Sequence, residues 1–431
     1  MKLAASRQKL VVMTRIPEAG RNKTRLIPAF GEEGAARIHD RLARHAIGRA
    51  SAYALLSPDT ELEVRVTGGS TMLARDWLGD GCFKIQGEGD LGARLASVCQ
   101  EGFEEGAGKV VILGTDCPRL DESRLAEAFE ALDSKDVVLG PAADGGYYLI
   151  GVKALEPRLF EGIAWGGPKV LAQTLQRVER CGLSVAILGV LPDVDDPEDL
   201  VDGEEAMAVG ARVSVIIPAL NEAAWLKATL EQLNREQPWQ VLVADGGSND
   251  GTIKIAEGCG ATVISGARGR GAQMNLAATA ATGEFLLFLH ADTLAPASYQ
   301  EIIISALRRP GVIAGAFQLG IGDEIDSSGL IEGLVRLRCR LLTSPYGDQG
   351  LFLRRSVFEK LGGFPEIPVM EDLRMVERLK KGGAVVVVKE SVTTSGRRWK
   401  ASGLVRTFLR HQLMLLAYYG KLPLRYIARM R

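Results

Sequence analysis

Short apolar runs alternate with longer amphipathic stretches along the whole chain. In the first half KLVVMT, ELEVRV, KVVILG, DVVLG and YYLIGV read as strands, and in the second VSVIIPAL, QVLVADGG, ATVISG, EFLLFLHAD and AVVVVKE do so. Helical segments at 32–50, 223–236 and 298–308 lie between them. Strands separated by helices need crossover connections, which predict α/β architecture with mostly parallel sheets flanked by helices. The run GEEAMAVGAR at 203–212 has little strand character and precedes a fresh strand. It divides the chain into a domain at 1–205 and a second at 211–431. Each half opens with a strand and carries an aspartate after a central apolar strand, Asp116 in one and Asp292 in the other. The expectation is two domains of one architecture.

Length agrees, since 431 residues suit two α/β cores better than one. A net charge of −1 gives no electrostatic case for nucleic acid as a partner. Six cysteines stand singly, with no C-x-x-C pair, a pattern of reduced thiols in a cytoplasm. No segment reaches the roughly 18–20 apolar residues of a spanning helix.

Chemistry concentrates at the ends of the second-half strands. VSVIIPALNEA at 213–223 ends on Pro218, Asn221 and Glu222, and VLVADGGSNDGT at 241–252 ends on Asp245 and a glycine-rich turn. Ligands of open α/β sheets bind beyond the carboxyl ends of strands. A carboxylate there can accept from a base or ribose, or it can simply shape the turn. EFLLFLHADT at 284–293 delivers His290 and Asp292, and Asp292 offers a hard oxygen suited to Mg2+ or Mn2+. VMEDLRMVERL at 369–379 sets Glu371 and Asp372 at a helix start, where the helix dipole favours acids and a general base could stand. SGRRWK at 395–400 adds Arg397 and Arg398, suited to a diphosphate.

This ordered set resembles the family-2 glycosyltransferases with the GT-A fold over nearly all of 213–400, and within them the arsenosugar-biosynthesis subgroup. The resemblance implies inverting transfer from a UDP- or GDP-type sugar donor to an acceptor hydroxyl of unknown identity. It assigns nucleotide contacts to Pro218, Glu222 and Asp245, metal to Asp292, and the catalytic base to Asp372 of the Glu371–Asp372 pair. Arg268, Arg270 and Asn275 in GARGRGAQMN match a stretch lining the nucleotide side. One departure stands out: His290-Ala291-Asp292 replaces the usual D-x-D, keeping one of its two carboxylates.

In the first half TRIPEAGRNKTRL at 14–26 offers Lys23 and Arg25 for phosphates, without the spacing of a Walker loop. VVILGTDCPRL at 110–120 presents Asp116, GPAADGGYYLIG at 140–151 adds Asp144, and LPDVDDPEDL at 191–200 groups Asp193, Asp195 and Asp196. These segments resemble GT-A-like domains of unknown function that accompany such transferases and, more distantly, nucleotidyltransferases that guanylylate phospholactate-type substrates or the molybdenum cofactor. By that resemblance Lys23 and Arg25 bind nucleotide phosphates, and Asp116 with Asp195 holds a metal. The whole chain then reads as two tandem GT-A-like, Rossmann-like domains. Three readings of the first stay open: it activates a sugar phosphate, it carries the principal activity as a nucleotidyltransferase, or it is a nucleotide-binding scaffold.

From residue 397 to 431 there are nine Lys or Arg and no Asp or Glu, mixed with Leu, Phe and Tyr. Such a tail either packs on its domain or lies as a basic amphipathic helix on an anionic membrane surface, a peripheral contact at the inner face. The first is favoured.

Overall fold

The computed structural model describes residues 7–209, 212–321 and 347–395, together with 410, 413–414, 417–420, 422 and 426–427. The chain divides into two compact units, residues 1–209 with 308–311 and residues 210–307 with 312–431.

In the first unit the strands are β1 (Gln8–Arg15), β2 (Thr60–Thr67), β3 (Phe83–Ile85), β4 (Lys109–Leu113), β5 (Val137–Pro141), β6 (Tyr147–Val152) and β7 (Val185–Ile187). They form one sheet in the order β3-β2-β1-β4-β6-β5-β7. The block from β3 to β4 is parallel throughout, β6 runs antiparallel to both neighbours, and β5–β7 is parallel again.

The second unit holds β8 (Val213–Ala219), β9 (Gln240–Asp245), β10 (Thr262–Ser265), β11 (Phe285–Phe288), β12 (Thr293–Leu294), β13 (Val312–Ile321), β14 (Leu351–Arg354) and β15 (Ala384–Thr394). Their order is β10-β9-β8-β11-β14-β13-β15-β12. Apart from the two-residue β12 at its edge, this repeats the first sheet strand for strand. The reversed strand, here β14, sits in the same place beside the fourth strand. The sequence expectation of two α/β domains of one architecture is met; the apolar pattern gave β6 as YYLIGV without its reversed direction and did not reveal β13 or β14.

Both faces of the parallel block are covered, so its strands are apolar along their length instead of alternating. Val213, Val215 and Ile217 of β8 pack with Leu226, Leu230 and Ile303 from the helices Ala223–Asn234 and Tyr299–Leu307. Each such side chain, fully buried, contributes about 1.5–3 kcal/mol. In the first unit Leu10 and Val12 face the helix Ile27–Leu56, while Val11 faces Leu95 and Val98 of the helix Leu91–Glu104.

One face of β1 and β2 departs from this rule. Lys9, Glu63 and Arg65 point to the side of the helix Leu91–Glu104 and are buried. Arg65 pairs with Glu63 at 2.5 Å and with Glu101 at 2.9 Å, while Lys9 and Lys84 reach Glu63 at 3.0 and 3.1 Å. Burial pushes the Glu63 carboxyl up, but Arg65 and Lys9 outweigh it and hold it below the usual range. Arg65 bonding lowers Glu101, and Lys84 with Lys9 holds Glu105 at about 2.

Among the described residues no helix is long and apolar enough to cross a membrane. Of those described in the basic tail, Met414 and Ile427 cluster with Val369 and the Tyr418 hydroxyl donates to Glu377 at 2.8 Å, while Leu413, Tyr419, Leu422 and Tyr426 are exposed. The first three side chains fit the packing alternative.

Two outcomes follow for the ionic face. Arg65→Met removes the bidentate partner of Glu101, which keeps Lys84 at 3.3 Å, and leaves Glu63 its two lysines; with Glu101 partly screened by solvent, chemical denaturation is expected to show a loss of about 1–2 kcal/mol. The three carboxyls are depressed in the folded state, so their stabilisation is complete above the ordinary glutamate value of 4.5 and is lost as pH falls toward 2. A melting profile over that window should fall steeply in wild type and more shallowly in Arg65→Met.

Candidate functional site

The second unit gathers its motifs at the carboxyl ends of β8, β9 and β11. Pro218 from β8, Arg270, His290 beyond β11 and Asp372 line one small pocket, with Met274, Phe288 and Phe364 as its apolar walls. These four residues come from four separate sequence motifs. The helix Arg270–Thr279 supplies Arg270, and the helix Glu371–Leu379 supplies Asp372 in its first turn.

Around this pocket the turns are tightly bonded. Asp245 is buried, and its carboxylate accepts from the backbone N–H groups of Gly247 at 2.8 Å and Ser248 at 3.0 Å. That bonding shapes the turn, and a carboxylate with four lone-pair positions retains capacity for a ligand. Asn221 sits at φ 56°, and its Oδ1 accepts from the Asn249 N–H at 2.9 Å. Glu222 is half-buried beside it, its backbone N–H donating to the Thr252 hydroxyl at 2.9 Å. Asp292 is half-buried at the end of β11, and its backbone carbonyl accepts from the Ser395 N–H at 3.0 Å.

Three placements differ in kind from a simple ligand contact. Asn275 spends its amide on the backbone of Phe364, Glu371 is buried with Arg270 3.5 Å away, and Arg268 is exposed. Arg397 and Arg398 lie outside the described residues. The sequence reading missed Gln273, whose Nε2 donates to the carbonyls of Ala219 at 3.0 Å and Ala244 at 2.9 Å. That amide ties the ends of β8 and β9 together. No local signal marks a buried glutamine in a helix.

The first unit has a cavity of about 550 Å³ at the carboxyl ends of β1 and β4, lined by Arg15, Lys23, Arg25, His39, Asp116 and Asp195 among others. Lys23 does not stand free to meet a phosphate. At φ 44° it turns its side chain inward, where Nζ lies 2.7 Å from Asp116, 2.9 Å from Asp195 and 2.7 Å from the Val194 carbonyl. Burial opposes this ammonium, but the two carboxylates outweigh it and raise its pKa. Arg25 is exposed, 3.5 Å from Asp195. The proposed metal pair Asp116 and Asp195 is thus bridged by a lysine.

Among the described residues, the acids close enough to share an ion are Asp144, Asp193 and Asp195, with ligand oxygens within 4.8 Å of one another. Burial, then the Asp144 charge, lifts Asp193 above its usual value. A cation would relieve that repulsion, so this donor set fits Mg2+ or Mn2+. The His39 Nε2 meets the Arg15 carbonyl at 2.8 Å, and burial lowers its pKa.

Residues 51–167 match the family described as an uncharacterized protein conserved in bacteria (DUF2064), and residues 214–362 match glycosyl transferase family 2. The chain joins a DUF2064 domain to a family-2 glycosyl transferase domain. The match to the second domain is at the level of family 2 and does not reach the arsenosugar subgroup. Over 193 residues, 43% of this chain and 86% of the relative, the sequence is 29% identical to a 2-phospho-L-lactate guanylyltransferase from Methanopyrus kandleri. A solved protein classed as a nucleotide-diphospho-sugar transferase, from Desulfovibrio desulfuricans, is 31% identical over 45% of this chain and 85% of its own, with a TM-score of 0.42. The mannosyltransferase PcManGT from Pyrobaculum calidifontis, solved with GDP-Man and Mn2+, is 22% identical over 46% of this chain and 64% of its own, with a TM-score of 0.35.

Replacing Lys23 by Met in the DUF2064 domain leaves two half-exposed carboxylates facing each other. Solvent screens part of that repulsion, so a loss of about 1–2 kcal/mol is expected by urea denaturation at pH 7. Because the folded lysine pKa is raised, the stabilisation is full below 10.5 and disappears only as pH climbs past it. Wild type and variant should therefore converge in stability at strongly alkaline pH.

Proposed function

We propose that the family-2 domain transfers a sugar from a UDP- or GDP-type donor to an acceptor hydroxyl with inversion at the anomeric carbon. The observation that carries this reading is the convergence of Pro218, Arg270, His290 and Asp372, drawn from four separate motifs, on one pocket of about 10 Å³, room for a water molecule. Asp372 acts as the base. Its carboxylate takes the acceptor proton while that oxygen attacks the anomeric carbon, and the C–O bond to the diphosphate breaks with its electron pair on the leaving group. Attack from the face opposite the leaving group inverts the configuration.

Pro218, Asn221, Glu222 and Asp245 form the nucleotide side, with Arg268 and Arg270 toward the diphosphate. Asp292 fits Mg2+ or Mn2+ as a hard oxygen ligand at a strand end, and such an ion, when bound, neutralises charge on the diphosphate. PcManGT, with its GDP-Man and Mn2+, is compatible with that donor and metal class.

The DUF2064 domain is read as a nucleotide site that activates a sugar phosphate for the second domain. Its likeness to a guanylyltransferase and its acid-lined cavity support this. A scaffold that holds nucleotide without turnover is the second reading, favoured by the Lys23 bridge across Asp116 and Asp195.

A panel of nucleotide sugars with Mn2+ or Mg2+, read by release of free nucleoside diphosphate, tests the assignment. Asp372→Asn is expected to lower the rate by about 10²–10⁴-fold, while Asp116→Asn leaves it unchanged. Release that survives in Asp372→Asn, or vanishes in Asp116→Asn alone, overturns it. Pyrophosphate formed from a nucleoside triphosphate and a sugar phosphate, and lost in Asp116→Asn, would decide for activation over scaffolding.

A further inference from the structure

In the second unit the helix Arg270–Thr279 is fixed at three points to the segment that leads into Asp372. Asn275 spends both ends of its amide on one residue: Nδ2 donates to the Phe364 carbonyl at 2.9 Å, and Oδ1 accepts from the Phe364 N–H at 2.7 Å. One turn earlier, Gly271 approaches so closely that a Cβ there would stand 2.8 Å from the Pro365 carbonyl oxygen. At the helix start Arg270 reaches the buried Glu371 at 3.5 Å, and Glu371 adjoins Asp372 in the chain. Through Gln273 the same helix is bonded to the ends of β8 and β9. One rigid element therefore joins the nucleotide-side turns to the residue proposed as base.

We propose that Asn275 and Glu371 are positioning residues that hold Asp372 at a fixed distance from the strand ends carrying Pro218 and Asp245, and that Asn275 is not a nucleotide contact. The role of Asp372 rests on the glycosyl-transfer reading; the clamp itself is a property of the fold. An amide suits this place because it presents one donor and one acceptor side by side, which pair with the C=O and N–H of a single residue as a neighbouring strand would. Aspartate keeps the acceptor and loses the donor. Glu371, buried beside the arginine, anchors the second helix to the first, and its neighbour takes its position from that anchor. The geometry matters because a general base must lie within hydrogen-bond reach of its proton, and a 1 Å displacement costs about a hundredfold in rate.

Three full-length variants test this: Asn275→Ala, Asn275→Asp and Glu371→Gln. Binding of UDP and GDP is measured by calorimetry, turnover by nucleoside diphosphate release, and backbone mobility by amide hydrogen exchange across 364–372 without nucleotide. In each variant the expected result is faster exchange in that segment and a kcat lowered by about a hundredfold, with the nucleotide Kd unchanged in both Asn275 variants. Unchanged exchange at distant amides of the same unit reports that the fold is kept, and Glu371→Gln serves where either Asn275 variant fails that check. Weakened UDP or GDP binding with unaltered exchange overturns the proposal and makes Asn275 a direct contact. Absence of transfer in the wild type defeats the glycosyl-transfer reading alone, and the exchange result still decides the clamp.

Discussion

The site chemistry of this chain depends on where buried parallel strands end. In each unit a block of four parallel strands is covered on both faces, so neither face of it can present polar groups to a ligand. The carboxyl ends are what remain. Between the first and fourth strands the chain order changes direction: β1 leads to β2 and β8 to β9 on one side, while β4 and β11 lead to the other, so the loops after them diverge. Asp116 and Asp292 stand in those loops. The apolar core thereby selects the place of the chemistry before any polar residue does.

What the two units do with that place differs in charge. In the first, Lys23 occupies the space between Asp116 and Asp195, and the remaining acids Asp144 and Asp193 crowd against Asp195. The result is a cavity whose cation is partly built in. In the second, the acids are spread over separate elements, Asp245 on β9, Asp292 after β11 and Asp372 on a helix, with Arg270 and Asp372 lining one pocket. One topology therefore carries a compact acidic cluster in one case and a distributed set in the other.

Much of this was legible in the sequence because the informative strands are long and apolar. VSVIIPA and KLVVMT are buried over nearly their whole length, and each is followed at once by its polar motif. The three-residue strands β3 and β7 escaped because half-exposed edge strands of that length carry no pattern. β13 and β14 escaped for other reasons: VIAGAFQLGI is interrupted by alanines and glycines, and LFLR is a short apolar run that a helix could equally bury. The partners of Lys23 lie 93 and 172 residues away, and those of Asn275 lie 89 away, so their bonding is decided by topology and not by neighbours in sequence. The motifs could be found by reading along the chain. Their division into contacting and supporting residues could not.

The most direct test of the account is a crystal structure of the full chain soaked with UDP or GDP and Mn2+. Nucleotide density is expected at the carboxyl ends of β8 and β9, against Pro218, Glu222 and Asp245, with its diphosphate toward Asp292. A nucleotide held only in the first-unit cavity by Arg25 and Asp116, with the second-unit pocket closed to it, would contradict the assignment of transfer to the family-2 domain.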